Sequence, residues 1–149
     1  MSCESLNEII ATFQGADPEL RLELLLDYAK SLPGLPARLR EAGTLAAARV
    51  PECQTPVFLF VEAEGDKVRL CAEVAEEAPT VRGFVSILVR AFDGARLADL
   101  AEAPADLLQQ LKLDHVIRMT REVGLSAILY RLKREAARLG GVASAAQTA

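Results

Sequence analysis

Only one part of this chain alternates in the manner of paired strands. Val57 to Val61 is rich in β-branched and aromatic residues, Glu64-Gly65-Asp66 supplies a turn, and Val68, Leu70 and Ala72 return at every second position. The pattern predicts a hairpin, hence a small antiparallel sheet. Helical periods flank it on both sides, and this order of helices, short sheet and helices predicts an α+β fold with helices packed against the sheet.

The helical segments have their own punctuation. Ser5-Leu6-Asn7-Glu8 has capping-box spacing, and Leu6, Ile9, Ile10 and Phe13 mark one face of a helix ending near Gly15. Asp17-Pro18 supplies an N-cap and a first-turn proline for a second helix through Leu22, Leu25, Leu26, Ala29 and Leu32, broken by Leu32-Pro33-Gly34-Leu35-Pro36. A short helix is expected from Pro36 to Glu41, with Gly43 opening an irregular or extended segment that leads to Cys53. After the hairpin, Val81, Val85, Leu88, Val89 and Phe92 define a core helix closed by Asp93-Gly94. Two short helical pieces divided by Pro104 follow. A long helix from about Thr120 then buries Leu125, Ile128, Leu129, Leu132 and Ala136 and is expected to end at Gly140-Gly141. No internal repeat or linker divides the chain, so residues 1–139 read as one domain and 140–149 as a mobile tail.

Composition narrows the function. At 149 residues, 51% hydrophobic and 26% charged, the chain suits a soluble globular domain. A net charge of -4 argues against a nucleic-acid partner, and no apolar run is long enough for a membrane. The first thirty residues resemble neither a secretory signal nor a transit peptide. Cys3, Cys53 and Cys71 make no complete disulfide framework and match no zinc spacing, which fits a reducing cytoplasm. With His115 as the only histidine, a His-rich metal centre or a Ser-His-Asp triad has little to draw on.

The residue that stands out chemically is Cys53, held between Pro51 and Pro56 just before the first strand. Prolines on either side favour extended backbone, so the thiol is expected on a loop or strand entrance. On position alone, a small buried apolar side chain is the more ordinary role for it. Cys71 alternates with Arg69 and Glu73 on the return strand, where partial burial is expected, and Cys3 reads as an exposed terminal thiol. His115 reads as a helix-flanking or surface residue. Arg118, Arg121, Arg131, Lys133, Arg134 and Arg138 read as a solvated basic helix face, and Glu76 and Glu77 as acidic residues ahead of a helix N-terminus.

Taken in order, six blocks of the chain resemble the SufE family of sulfur acceptor proteins, the partners of cysteine desulfurases in iron-sulfur cluster assembly. They are the early apolar helix, Leu32-Pro33-Gly34-Leu35-Pro36, the block from Val50 to Leu59, Val81-Arg82-Gly83-Phe84, Phe92-Asp93-Gly94 and Arg121-Glu122-Val123-Gly124-Leu125. The match runs from Leu6 to Lys133. Around the cysteine, Val50, Cys53 and Gln54 fit the family pattern and Thr55 is a conservative change, whereas Glu52 stands where the family shows glycine. Ala75-Glu76-Glu77-Ala78 replaces the family's Asp-Ser-Asp-Ala and keeps one carboxylate in register at Glu77. Arg118-Met119-Thr120-Arg121 replaces Ser-Pro-Ser-Arg with the arginine retained, and His115 lies one position from the family's histidine. The chain resembles a divergent member.

The resemblance implies that Cys53 accepts sulfur from a desulfurase persulfide, carries it as Cys53-S-SH and passes it to an iron-sulfur scaffold complex, stimulating the desulfurase. Pyridoxal phosphate is then expected on the partner, with no cofactor on this chain. Arg121, at the start of the last helix, is the candidate thiolate stabiliser, and Arg49 is a second. Gln54, Glu77 and Arg82 are candidate partner-binding residues. Glu52 works against Arg49, because its charge raises the thiol pKa, and a loop that requires positive φ there would strain a glutamate. The expected assembly state is a monomer or weak dimer. Two other readings remain: a regulatory module that binds the desulfurase without carrying sulfur, and, ranked last, an iron-sulfur scaffold drawing on Cys53, Cys71, Cys3 and His115.

Overall fold

The computed structural model describes the backbone of residues 4–114 and 119–148, and the side-chain surroundings of residues 5–114 and 124–141. Its elements in order are α1 (Glu4–Gln14), α2 (Pro18–Lys30), a 3-10 turn (Ala37–Leu39), α3 (Ala42–Ala48), β1 (Val57–Glu64), β2 (Lys67–Val74), α4 (Pro79–Phe92), α5 (Leu97–Ala101), α6 (Leu107–Gln110) and α7 (Met119–Thr148). Strands β1 and β2 form a two-stranded antiparallel sheet with Val57 opposite Val74 and Glu64 opposite Lys67. The expected α+β architecture is present.

In this register Val57, Leu59, Val68, Leu70, Ala72 and Val74 point into the core. Opposite charges face each other farther out, Glu62 across from Arg69 and Glu64 across from Lys67, which favours pairing beyond Val61 and carries β1 to Glu64. Gly65, at φ 65, turns the hairpin. The outer edge of β2 is covered by the segment that follows α4. Val68 N–H donates to the Ala95 carbonyl at 2.8 Å, Gly94 N–H donates to the Val68 carbonyl at 2.8 Å, and Leu70 N–H donates to Asp93 Oδ1 at 2.9 Å. Asp93-Gly94 is thus the turn that the sequence suggested, with Gly94 at φ 85.

Helix α4 buries ten of its fourteen residues, so it is enclosed on nearly every side, between the sheet and helices α1, α2 and α7. Its closest approach is to α2. A Cβ placed on Gly83 would overlap the Leu25 carbonyl oxygen and stand 2.7 Å from Leu25 Cδ1, so a glycine lets the two helix backbones touch. Arg82, next in sequence, ties the junction by donating from Nε to the Ala29 carbonyl at 2.8 Å and from Nη1 to the Val74 carbonyl at 2.7 Å. α2 begins as expected, with Asp17 Oδ1 accepting from Leu20 N–H at 2.8 Å.

Three boundaries differ from the sequence reading. Ser5 lies inside α1 rather than capping it. The segment after Gly43 is helical, not extended, because Leu45-Ala46-Ala47-Ala48 has high helix propensity and the turn Ala37–Leu39 is all that forms of the helix expected from Pro36 to Glu41. α7 continues past Gly140-Gly141 to Thr148, through an alanine-rich run whose propensity offsets the roughly 1 kcal/mol cost of each glycine.

Two core substitutions test this packing. Gly83→Ala is expected to lower stability by about 1–3 kcal/mol despite its gain in helix propensity, read as a lower urea midpoint at unchanged slope. Ser86 is fully buried on α4 and its hydroxyl has no hydrogen-bond partner among the described residues. Ser86→Ala removes that desolvated hydroxyl and is expected to raise the midpoint by the equivalent of about 1 kcal/mol.

Candidate functional site

The free edge of β1 creates the site. At its start the backbone of Arg49 bridges to Phe58, and Val50 N–H donates to the Val57 carbonyl at 2.9 Å. Residues 51–56 must therefore leave and return through a neck one hydrogen-bonded pair wide. Pro51, having no N–H, suits the exposed outward step. The Cys53 N–H donates to the Val50 carbonyl at 3.3 Å, which closes a turn over Pro51 and Glu52 and swings the next side chain inward.

The Cys53 side chain ends up 7% exposed, facing α7. Its thiol donates to the Gly124 carbonyl at 3.5 Å, and a Cβ built on Gly124 would lie only 3.1 Å from the sulfur. Glycine at 124 is what lets the thiol reach the helix backbone. A cavity of about 70 Å3 opens beside it, between the loop residues Glu52 to Thr55 and Val81, Gly124 and Leu125. Burial pushes the thiol pKa up to about 11; the nearby Glu52 charge adds to this and Arg49 opposes it. At neutral pH the resting group is a protonated thiol bonded to a carbonyl.

Residues 7–136 match the SufE family, described as an Fe-S metabolism associated domain. The chain belongs to this family. It is 42% identical over 130 residues to a SufE-like protein of Mycobacterium tuberculosis, covering 87% of this chain and 89% of that one. It is 30% identical over 136 residues to a SufE-like protein of Rhizobium meliloti, covering 89% and 94%. Both relatives are themselves described as uncharacterised. The solution structure of a hypothetical protein from Thermus thermophilus superposes with a TM-score of 0.80 at 32% identity, covering 93% of this chain and 98% of that one. The SufE fold and its association with Fe-S metabolism therefore hold for this chain.

Glu52, which the resemblance set against a glycine, sits without backbone strain. Lys112 is the one non-glycine residue with positive φ among the described residues, so the turn at Glu52 uses ordinary backbone. Gln54 is exposed at the cavity rim. Arg82 directs two donors into the fold and also lines a separate groove of about 430 Å3 with Leu26, Lys30, Glu76 and Pro79. Glu77 is exposed ahead of α4 and lines neither cavity. The Arg121 side chain lies outside the described residues, as do Cys3, His115 and Arg118. Cys71 is a half-buried free thiol opposite Phe60. Among the described residues no three His, Cys, Asp or Glu side chains cluster in a way that would hold a metal ion, and no helix is long and apolar enough to cross a membrane.

A larger cavity, about 530 Å3, lies along β1, α3 and α7, and Cys53 is not among the residues that line it. Two residues of the site escaped the sequence reading. Gly124 was part of a motif without a role, and Arg131 read as one cation of a solvated face. Arg131 instead donates to the carbonyls of Arg49 at 2.6 Å and Ala47 at 3.3 Å, at the C-terminal end of α3. The glycine inside a helical run was a readable signal; the reach of Arg131 across 82 residues was not.

Alkylation of Cys53 by iodoacetamide is expected to rise about tenfold per pH unit from neutrality toward its midpoint. Glu52→Gly removes a charge that favours the thiol, so the midpoint falls and the rate at pH 8 rises. Peptide mass spectrometry of time points gives both values, and an unchanged midpoint would show that burial alone sets it.

Proposed function

We propose that this SufE-family chain accepts sulfur on Cys53 from a cysteine desulfurase persulfide, delivers it to an iron-sulfur scaffold complex, and by removing sulfur stimulates the desulfurase. One observation carries the reading: in a chain of this family, the thiol at the matching position sits at the tip of a loop closed by a narrow neck, beside a cavity large enough for an added sulfur atom.

The transfer needs no net oxidant. The Cys53 thiolate attacks the terminal sulfur of the donor persulfide, a new S–S bond forms as the donor's S–S bond breaks, and the donor cysteine leaves as thiolate. The proton from Cys53 passes to solvent or to the departing sulfur. Because the resting thiol is protonated and buried, the loop tip must swing out before attack. Breaking one S–H···O contact and exposing one small side chain costs on the order of 2 kcal/mol, which leaves a minor open population for the partner to capture. Arg49, which already favours the thiolate, is the described cation able to assist, and Arg121 is proposed as a second. Gln54 at the cavity rim, Glu77 and Arg82 are proposed partner contacts. The desulfurase supplies the pyridoxal phosphate, and a reducing cytoplasm keeps the thiols of this chain free.

A non-carrying regulatory module is the second reading, favoured by the raised thiol pKa and by Glu52. Incubation with a desulfurase and sulfur-labelled cysteine separates the two. The expected result is label on Cys53 and loss of stimulation in Cys53→Ser. Label on Cys71 with Cys53 unmodified overturns the carrier reading, and undiminished stimulation by Cys53→Ser selects the module.

A further inference from the structure

We infer that Arg131 is a positioning residue that sets how far the Cys53 thiol is withdrawn from solvent, by clamping the root of its loop to α7. The guanidinium donates from Nη1 to the Arg49 carbonyl at 2.6 Å and from Nη2 to the Ala47 carbonyl at 3.3 Å. These carbonyls stand at the end of α3, where a helix leaves its last acceptors unpaired and a cation is favoured by the helix dipole. Charge-assisted bonds to them are stronger than neutral ones. Arg49 is also the residue whose backbone bridges to Phe58, so the clamp acts on the strand pairing from which the loop departs.

Two carboxylates that share a cavity with this arginine pair with other cations, and Glu52 lines a second cavity with it. Glu135 pairs with Arg138 at 2.8 Å and Glu62 with Arg38 at 2.7 Å, although both line the cavity that Arg131 borders. The guanidinium hydrogen bonds of Arg131 go to the loop root. Gly124, which accepts the thiol, precedes it by seven residues on the same helix. Seven residues return to nearly the same face of a helix, so α7 grips the loop at its root and at its tip along one line. Releasing the root frees the tip, and the thiol leaves its carbonyl and its burial together. The consequence for sulfur loading rests on the acceptor reading above; the consequence for thiol exposure does not.

The test compares the parent with Arg131→Met, which keeps the aliphatic stem, and Arg131→Lys, which keeps the charge and a donor. Iodoacetamide alkylation of Cys53 and Cys71 is followed by peptide mass spectrometry across pH, beside urea melts. Arg131→Met is expected to raise the Cys53 rate at pH 8 by about tenfold or more and to move its midpoint down toward the ordinary thiol range, with Cys71 unchanged. Arg131→Lys should fall between. An unchanged Cys53 rate and midpoint in Arg131→Met overturns the assignment, and so does an equal rise at Cys71, which would mean general loosening. If Cys53 exposure rises as expected but no variant takes labelled sulfur from a desulfurase, the acceptor reading fails and the role of Arg131 stands.

Discussion

A sheet of two strands does not hold itself together in water, and most of this fold answers that constraint. Its inner face is covered by α4, a helix apolar enough to be enclosed on nearly every side. The edge of β2 is paired with the turn after α4, and the start of the β1 edge with Arg49 and Val50. The second pairing has a chemical by-product. Because Val50 must meet Val57, the six residues between them have nowhere to go but out and back, and Cys53 is among them. The loop that carries Cys53 is thus a structural closure in its own right.

That same origin explains how a bulky glutamate is accommodated beside the cysteine. The turn at Pro51-Glu52 needs no left-handed residue, so its cost at position 52 is electrostatic rather than steric. Glu52 makes the thiol harder to ionise while leaving the loop shape alone.

What was legible in the sequence followed from local rules. The hairpin showed in its period of two, α4 in its apolar ring, α2 in Asp17-Pro18, and the loop placement of Cys53 in its two prolines. What was not legible depended on distant partners. The inward direction of the thiol is decided by Gly124, seventy-one positions away. Gly83 matters only because Leu25 backbone lies against it. Gly43 masked α3, because the alanines after it carry a helix whose Ala47 carbonyl accepts from Arg131. A basic residue on an amphipathic helix looks like solvation until its acceptor is known.

Gly83 and Gly124 divide the work of a missing side chain differently. One sits where two helix backbones meet, the other where a backbone meets a sulfur atom. Either position filled by a methyl group forces a neighbour aside, but at the first the neighbour is helix backbone and at the second it is the sulfur of a loop residue. An alanine at the first position would therefore press on the packing of two helices, and one at the second on the seat of a single thiol.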